Sequence, residues 1–209
     1  MPWTFIHPTK TGGTTLERFF ETSVPAVSGS GHDAKVSASL PGNFIIVLRD
    51  PMRRAESIWR YYVSGSDISG PPGGRRLSFG EFWERVEKGS VELPRYMWNE
   101  HLLPQSTWLG PYGVVCSESH REWNACPSCR LNIPETLTIL RNDECGTDSL
   151  RKATFEILDR LGVSYDPEQW KTVNVSTCRD SVRMDAETGD RLRRLFAEDI
   201  RLWTVLSRD

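Results

Sequence analysis

Two short runs of the chain carry residue types suited to gripping an anion. The first is Lys10-Thr11-Gly12-Gly13-Thr14-Thr15, which follows the apolar run Trp3-Thr4-Phe5-Ile6-His7. Glycines let backbone N–H groups close on an oxyanion, and a helix starting at that point adds partial positive charge. Lys10 brings a mobile full charge, and the threonines bring hydroxyl donors. The order of residues is informative. In the loop of an ATPase or GTPase, Lys follows the glycines as G-x-x-x-x-G-K-[ST]. Here Lys10 precedes them and no Gly stands at the required spacing before Gly12, which disfavours that class. The second run is Arg49-Asp50-Pro51-Met52-Arg53-Arg54-Ala55-Glu56-Ser57, at the end of the apolar Ile45–Leu48. An Arg where a buried strand ends and a Ser inside the next helix can converge on one dianion, the first as a planar fork and the second as a hydroxyl donor. Asp50 reads as a cap or turn residue, and Arg54 as a helix-surface partner for a neighbouring or distant carboxylate.

These runs need strands and helices to hold them. Trp3–His7 reads as a buried strand entering a tight loop, with Thr14 or Thr15 capping a helix through Phe20. Residues 23–43, rich in Ser, Gly and Pro, read as loop with at most a short helical piece. Asn43–Leu48 is apolar nearly throughout, which suits a parallel strand covered on both faces. Residues 52–63 form the helix after it. Residues 64–76 read as a flexible loop or lid, Ser78 starts a helix through Phe79, Phe82 and Val86, and 95–109 reads as mostly helical. Thr136–Leu140 is a third strand, Thr147–Leu161 a helix stopped by Gly162, and Asp185–Leu206 one long helix with Leu192, Leu195, Phe196, Ile200 and Trp203 at helical spacing. Strands alternating with helices predict an α/β domain with a central parallel sheet flanked by helices. The 209 residues suit a single domain, with an irregular cysteine-bearing insertion at about 110–135.

The first run resembles the 5′-phosphosulfate loop of sulfotransferases that use 3′-phosphoadenosine-5′-phosphosulfate (PAPS), where the usual pattern is F-x-H-x-P-K-T-G-G-T-[ST]. The chain departs at Pro8 and Thr9, which stand where the family has an aliphatic residue and then Pro. The second run resembles the family's 3′-phosphate motif, R-D-P-x-x-R-x-x-S, and matches it at Arg49, Asp50, Pro51, Arg54 and Ser57. The resemblance implies a P-loop-like sulfotransferase fold and an enzyme that moves a sulfuryl group from PAPS to a hydroxyl or amine. Adenosine 3′,5′-bisphosphate is the other product, and no metal is required. It implies that Lys10, Thr11, Gly12, Gly13, Thr14 and Thr15 hold the phosphosulfate, and that Arg49 and Ser57 hold the 3′-phosphate. Lys10 also neutralises charge on the bridging oxygen as the S–O bond breaks.

A base titrating near neutrality is most simply a histidine, and the chain has four. His7 matches the loop pattern and reads as structural. His32, in Ser30-Gly31-His32-Asp33, lies between the two motifs, where heparan-type relatives carry the base. His101 belongs to His101-Leu102-Leu103-Pro104-Gln105, which resembles the H-x-x-P-Q tag of the chondroitin-type branch; it reads as a shaper of the acceptor groove or as the alternative base. Leu137–Glu144 resembles the family's later strand and acidic turn, and Asn174-Val175-Ser176 resembles a loop near the donor. These tags favour a saccharide acceptor, met by residues 64–76 and 95–109. Two other classes stay open: a nucleotide kinase with an unusual phosphate loop, which would bind ATP with magnesium, and a non-catalytic PAPS- or glycan-binding module.

Composition narrows the rest. A net charge of −2 argues against a nucleic-acid partner while leaving room for a local cluster of Lys and Arg. No apolar run approaches a membrane span and the N-terminus does not read as a signal, so a soluble, cytoplasmic protein is expected. A fragment of a Golgi-lumen protein would look the same. The cysteines are Cys116, Cys126, Cys129, Cys145 and Cys178. The odd number and loose spacing favour ordinary thiols or one disulfide. Cys116, His120, Cys126 and Cys129 form the alternative, a set of four zinc ligands.

Overall fold

The computed structural model describes residues 2–29, 34–37, 42–64, 77–91, 93, 100–117, 126–142, 147–173, 182 and 184–208. Strand β1 (Trp3–Ile6) lies between β2 (Val27–Gly29) and β3 (Asn43–Arg49). A later strand, Leu137–Asn142, pairs with the far side of β3, and every pairing in this four-stranded sheet is parallel. Side chains alternate across it. Phe5, Ile45 and Val47 pack with Leu16, Phe19 and Phe20 of helix α1 (Gly13–Ser23) on one face. Ile6, Phe44, Ile46 and Leu48 pack with Trp108 and Leu109 on the other. Both faces are therefore covered, which explains why Phe44–Leu48 shows no polar alternation. The chain is an α/β protein with a parallel sheet flanked by helices.

A further core forms beside the sheet, where helix α2 (Pro51–Ser64) meets α3 (Phe79–Glu87) through Ile58, Tyr62, Phe82 and Trp83. Helix α3 starts as expected: Ser78 Oγ accepts from Glu81 N, and Glu81 Oε2 accepts from Ser78 N, a reciprocal cap contributing about 1 kcal/mol.

Several boundaries differ from the sequence reading, each for a local reason. Helix α1 is capped by Gly12 in the left-handed region (φ 95, ψ 8), not by Thr14 or Thr15, because only a residue without Cβ makes this turn cheaply. The stretch taken as loop between residues 23 and 43 contains β2, which hydrogen-bonds at the edge of the sheet with a single buried residue, Val27. Between residues 100 and 109 the helical structure is mainly a 3-10 turn, Gln105–Leu109, entered through Pro104. The insertion contains a small antiparallel hairpin, β4 (Gly113–Val115) with β5 (Arg130–Asn132), ahead of the sheet strand β6 (Leu137–Asn142). Helix α4 (Thr147–Arg160) ends at Gly162, which takes φ 63. The expected single C-terminal helix is two, α5 (Ala186–Leu195) and α6 (Ala197–Leu206), broken at Phe196 (φ −110). The break lets Leu192 and Phe196 serve the α2–α3 core while Leu202 and Leu206 serve the sheet. Among the described residues no helix is long and apolar enough to cross a membrane.

Candidate functional site

The chain leaves β1 for β2 on one side and leaves β3 for β6 on the other, so the connections diverge between the C-terminal ends of β1 and β3. In open α/β sheets this divergence opens the crevice where ligands bind. The run after β1 and the run after β3 both open into it.

The loop after β1 is held in an unusual shape. Lys10 has a positive φ of 65, which costs a non-glycine residue about 1–3 kcal/mol. Neighbours hold it there. Arg49 Nη1 donates to Lys10 O at 3.2 Å, Thr11 Oγ1 to Pro8 O at 2.7 Å, and Asn142 Nδ2, from the end of β6, to Thr11 O at 2.8 Å. Gly13 lies against His7: a Cβ there would stand 1.9 Å from His7 Nδ1. His7 itself is buried, stacked on Phe5, and 3.5 Å from Glu17 Oε1. Its place is in the packing beneath the loop.

The threonines divide by role. Thr11 is buried with its hydroxyl spent on Pro8, and Thr15 Oγ1 both donates to Val173 O and accepts from Val173 N. Thr14 is exposed at the helix start. The first N–H groups of α1 have no partner within a helix, and its first turn holds no acid. Toward an anion the loop thus offers backbone N–H groups, the Thr14 hydroxyl and Lys10.

Arg49 ends β3 half-buried beside this loop. Gln105 fixes its backbone on both sides: Arg49 N donates to Oε1, and Nε2 donates to Arg49 O, each at 2.8 Å. Burial chiefly, and the Arg49 charge next, lower the Lys10 ammonium to about 8. Two cations crowd each other at the crevice, a combination that an anion would relieve.

Arg54 is not on the helix surface. It is fully buried, with Nε donating to Thr9 O (3.0 Å), Nη1 to Leu103 O (2.9 Å) and Nη2 to His101 O (3.0 Å). Its carboxylate is distant in sequence and equally buried: Asp199 Oδ2 lies 3.7 Å from Nη1. Burial outweighs pairing on both, pushing Arg54 down to about 10 and Asp199 up. Thr9, the departure from the family pattern, adds Oγ1 to Glu100 O at 3.0 Å. The loop is thereby tied to the segment that carries His101. Asp50 is a cap, its Oδ1 accepting from Arg53 N at 2.9 Å.

Spacing on α2 puts Ser57 on the face of Arg54 and of Tyr61. Ser57 is half-buried there. Tyr61 joins the two halves of the site: Lys10 Nζ sits 4.2 Å from its ring centroid, and the buried His101 stacks on it at 5.1 Å with planes 15° apart. Lys10, Tyr61, His101, Arg49, Arg54 and Gln105 therefore form one connected group. His32, with Asp33, His120, residues 65–76 and Asn174–Ser176, lies outside the described residues.

No protein-family model matches this chain, and no curated protein matches it. What the site can do is read from its own groups.

Two features lie apart from the loop. A cleft of about 430 Å³ is lined by Ser106, Tyr112, Val114, Asn132, Glu198 and Arg201 among others, with no residue of the Lys10–Thr15 loop. In the insertion, Cys116, Cys126 and Cys129 are free thiols whose sulfur atoms converge. A hydrogen bond from Ser128 chiefly lowers Cys126 to about 6, while burial chiefly raises Cys129 to about 11.

Proposed function

We propose that the chain is a PAPS-dependent sulfotransferase with a P-loop-like sulfotransferase fold, acting on a hydroxyl or amine acceptor, with a saccharide favoured. The observation that carries this reading is the meeting of Lys10 and Arg49 at the divergence point between β1 and β3, through the bond from Arg49 to the Lys10 carbonyl. The residues present fit a doubly anionic nucleotide: helix-start N–H groups, Thr14 and Lys10 for the phosphosulfate, Arg49 and Ser57 for the 3′-phosphate.

In the transfer, the acceptor oxygen or nitrogen attacks sulfur, its bond to sulfur forms, and the bridging S–O bond breaks in line. The acceptor's proton passes to a histidine, and the electron pair of the broken bond stays on the 5′-phosphate. Lys10 stabilises that developing charge as an ammonium. His101 and His32 are the two candidates for the base. His101 shares Tyr61 with Lys10, which favours a role at the reacting end of the crevice.

Incubation with labelled PAPS and a panel of glycans, phenols and lipids tests the reading, using the native chain, Lys10→Ala, His32→Ala and His101→Ala. Transfer by the native chain and its loss in Lys10→Ala are expected; the histidine variant that loses kcat while binding adenosine 3′,5′-bisphosphate normally identifies the base. Binding of ATP with magnesium in preference to the bisphosphate would favour a kinase instead. Tight bisphosphate binding with no turnover on any acceptor would favour the binding module.

A further inference from the structure

The insertion brings one thiol from the end of β4 and two from the turn before β5 to one point. Cys116 directly follows β4 and Cys129 directly precedes β5. Because Val115 pairs with Arg130, the two cysteines are the next positions across the ladder, at the end of the hairpin where its connecting segment begins and ends. Cys126 is returned to that end by a tight turn, Cys126-Pro127-Ser128-Cys129, closed by Cys129 N donating to Cys126 O at 3.0 Å. Cys116 Sγ is 3.2 Å from Cys126 Sγ, which is 3.5 Å from Cys129 Sγ, and the three sulfurs all lie within 4.8 Å of one another.

A disulfide would join two of these sulfurs and push the third aside, whereas here none is bonded and all three face a common centre. A single ion can use all three. Thiolates bound to zinc at about 2.3 Å with tetrahedral angles stand about 3.8 Å apart, close to the separations seen. Soft thiolate ligands in a tetrahedral arrangement select zinc over magnesium or calcium. We propose that Cys116, Cys126 and Cys129 hold one structural zinc ion that staples the β4–β5 hairpin.

The hairpin needs such a staple. Its strands are three residues each, and a two-stranded ribbon is at best marginal alone. Val114 and Leu131 are only partly buried against the sheet-side core, and Val115 is exposed. Three thiolates around a divalent ion leave one net negative charge. Arg208 supplies a positive one, with Nη1 donating to Cys126 O at 2.7 Å. The thiols that are still protonated give up their protons on binding, so loading releases acid. The site shares no residue with the phosphate loop, so its success or failure is independent of the proposed transfer activity.

The test uses the full chain, purified without added metal. Elemental analysis is expected to find about one zinc per chain, released by a thiol-modifying mercurial. Cys116→Ser or Cys129→Ser should lose that zinc, while Cys178→Ser keeps it. If those variants do not fold, the native chain decides alone: stripped of metal, reduced and titrated with cobalt(II), it should show thiolate-to-cobalt charge transfer and the visible bands of tetrahedral cobalt at one equivalent. Absence of both zinc and the cobalt spectrum in reduced protein overturns the proposal. So does a native mass lowered by two hydrogens, with the bond mapped to any pair of these cysteines.

Discussion

Arg54→Met is the most searching perturbation the structure offers. The substitution keeps an aliphatic stem on α2 and removes a guanidinium that satisfies the carbonyls of Thr9, Leu103 and His101. It also leaves Asp199, 1% exposed, without its counterion. Hydrogen bonds to charged groups contribute about 1.5–3 kcal/mol each when broken singly, but these share one side chain and do not add. The dominant loss is the stranded buried carboxylate, so the expected destabilisation is about 3–5 kcal/mol. A domain this size holds about 5–15 kcal/mol in all, so the variant remains foldable and measurable. Urea titrations of the native chain, Arg54→Met, Asp199→Asn and the double variant give the answer, with unchanged m-values as the check on two-state behaviour. Removing the second charge should recover part of the first loss, a coupling of about 1–3 kcal/mol. A destabilisation under about 1 kcal/mol in Arg54→Met, or strict additivity in the double variant, would refute the buried hub.

Under the proposed function, the lowered Lys10 pKa makes nucleotide binding pH-dependent. Below about 8 the free protein already carries the charge; above it, binding must recruit a proton. Affinity for adenosine 3′,5′-bisphosphate should therefore be flat between the phosphates' second pKa of about 6 and that value, and fall by up to about tenfold per pH unit above it. Calorimetry in buffers of different ionisation heat should show proton uptake only on the alkaline side, and Lys10→Arg should abolish it. An affinity that does not change as Lys10 titrates would show that Lys10 stands away from the anion. At the loop's base, Gly13→Ala drives a Cβ into the His7 ring and should destabilise by about 1–3 kcal/mol. His7→Ala in the same chain should recover part of that loss, and a neutral Gly13→Ala would contradict the close approach.

The parts legible in the sequence were those written in short local patterns. The apolar run of β3, the helix start at Ser78 and the tight loop after β1 each state their own geometry within a few residues. The supports of the site were hidden because they are long-range. Gln105 reaches Arg49 across 56 positions and Asn142 reaches Thr11 across 131, and no periodicity announces either bond. Tyr61 left a trace, standing on the helical face of Arg54 and Ser57, but an aromatic at that spacing is equally a core residue. Arg54 misled for the opposite reason: an Arg among Arg and Glu on an amphipathic helix suggests solvent, and only tertiary packing buries it. Strand β2 escaped because three residues with one buried side chain carry little pattern. The split at Phe196 escaped because Leu192, Phe196 and Trp203 keep helical spacing straight through it.

The Arg54–Asp199 contact also fixes when the loop after β1 matures. As the chain leaves the ribosome, residues 3–15 emerge long before residue 199, and until it follows, the arginine that clamps Thr9 lacks its counterion. Nascent and C-terminally clipped chains should leave the crevice slack until α6 is in place.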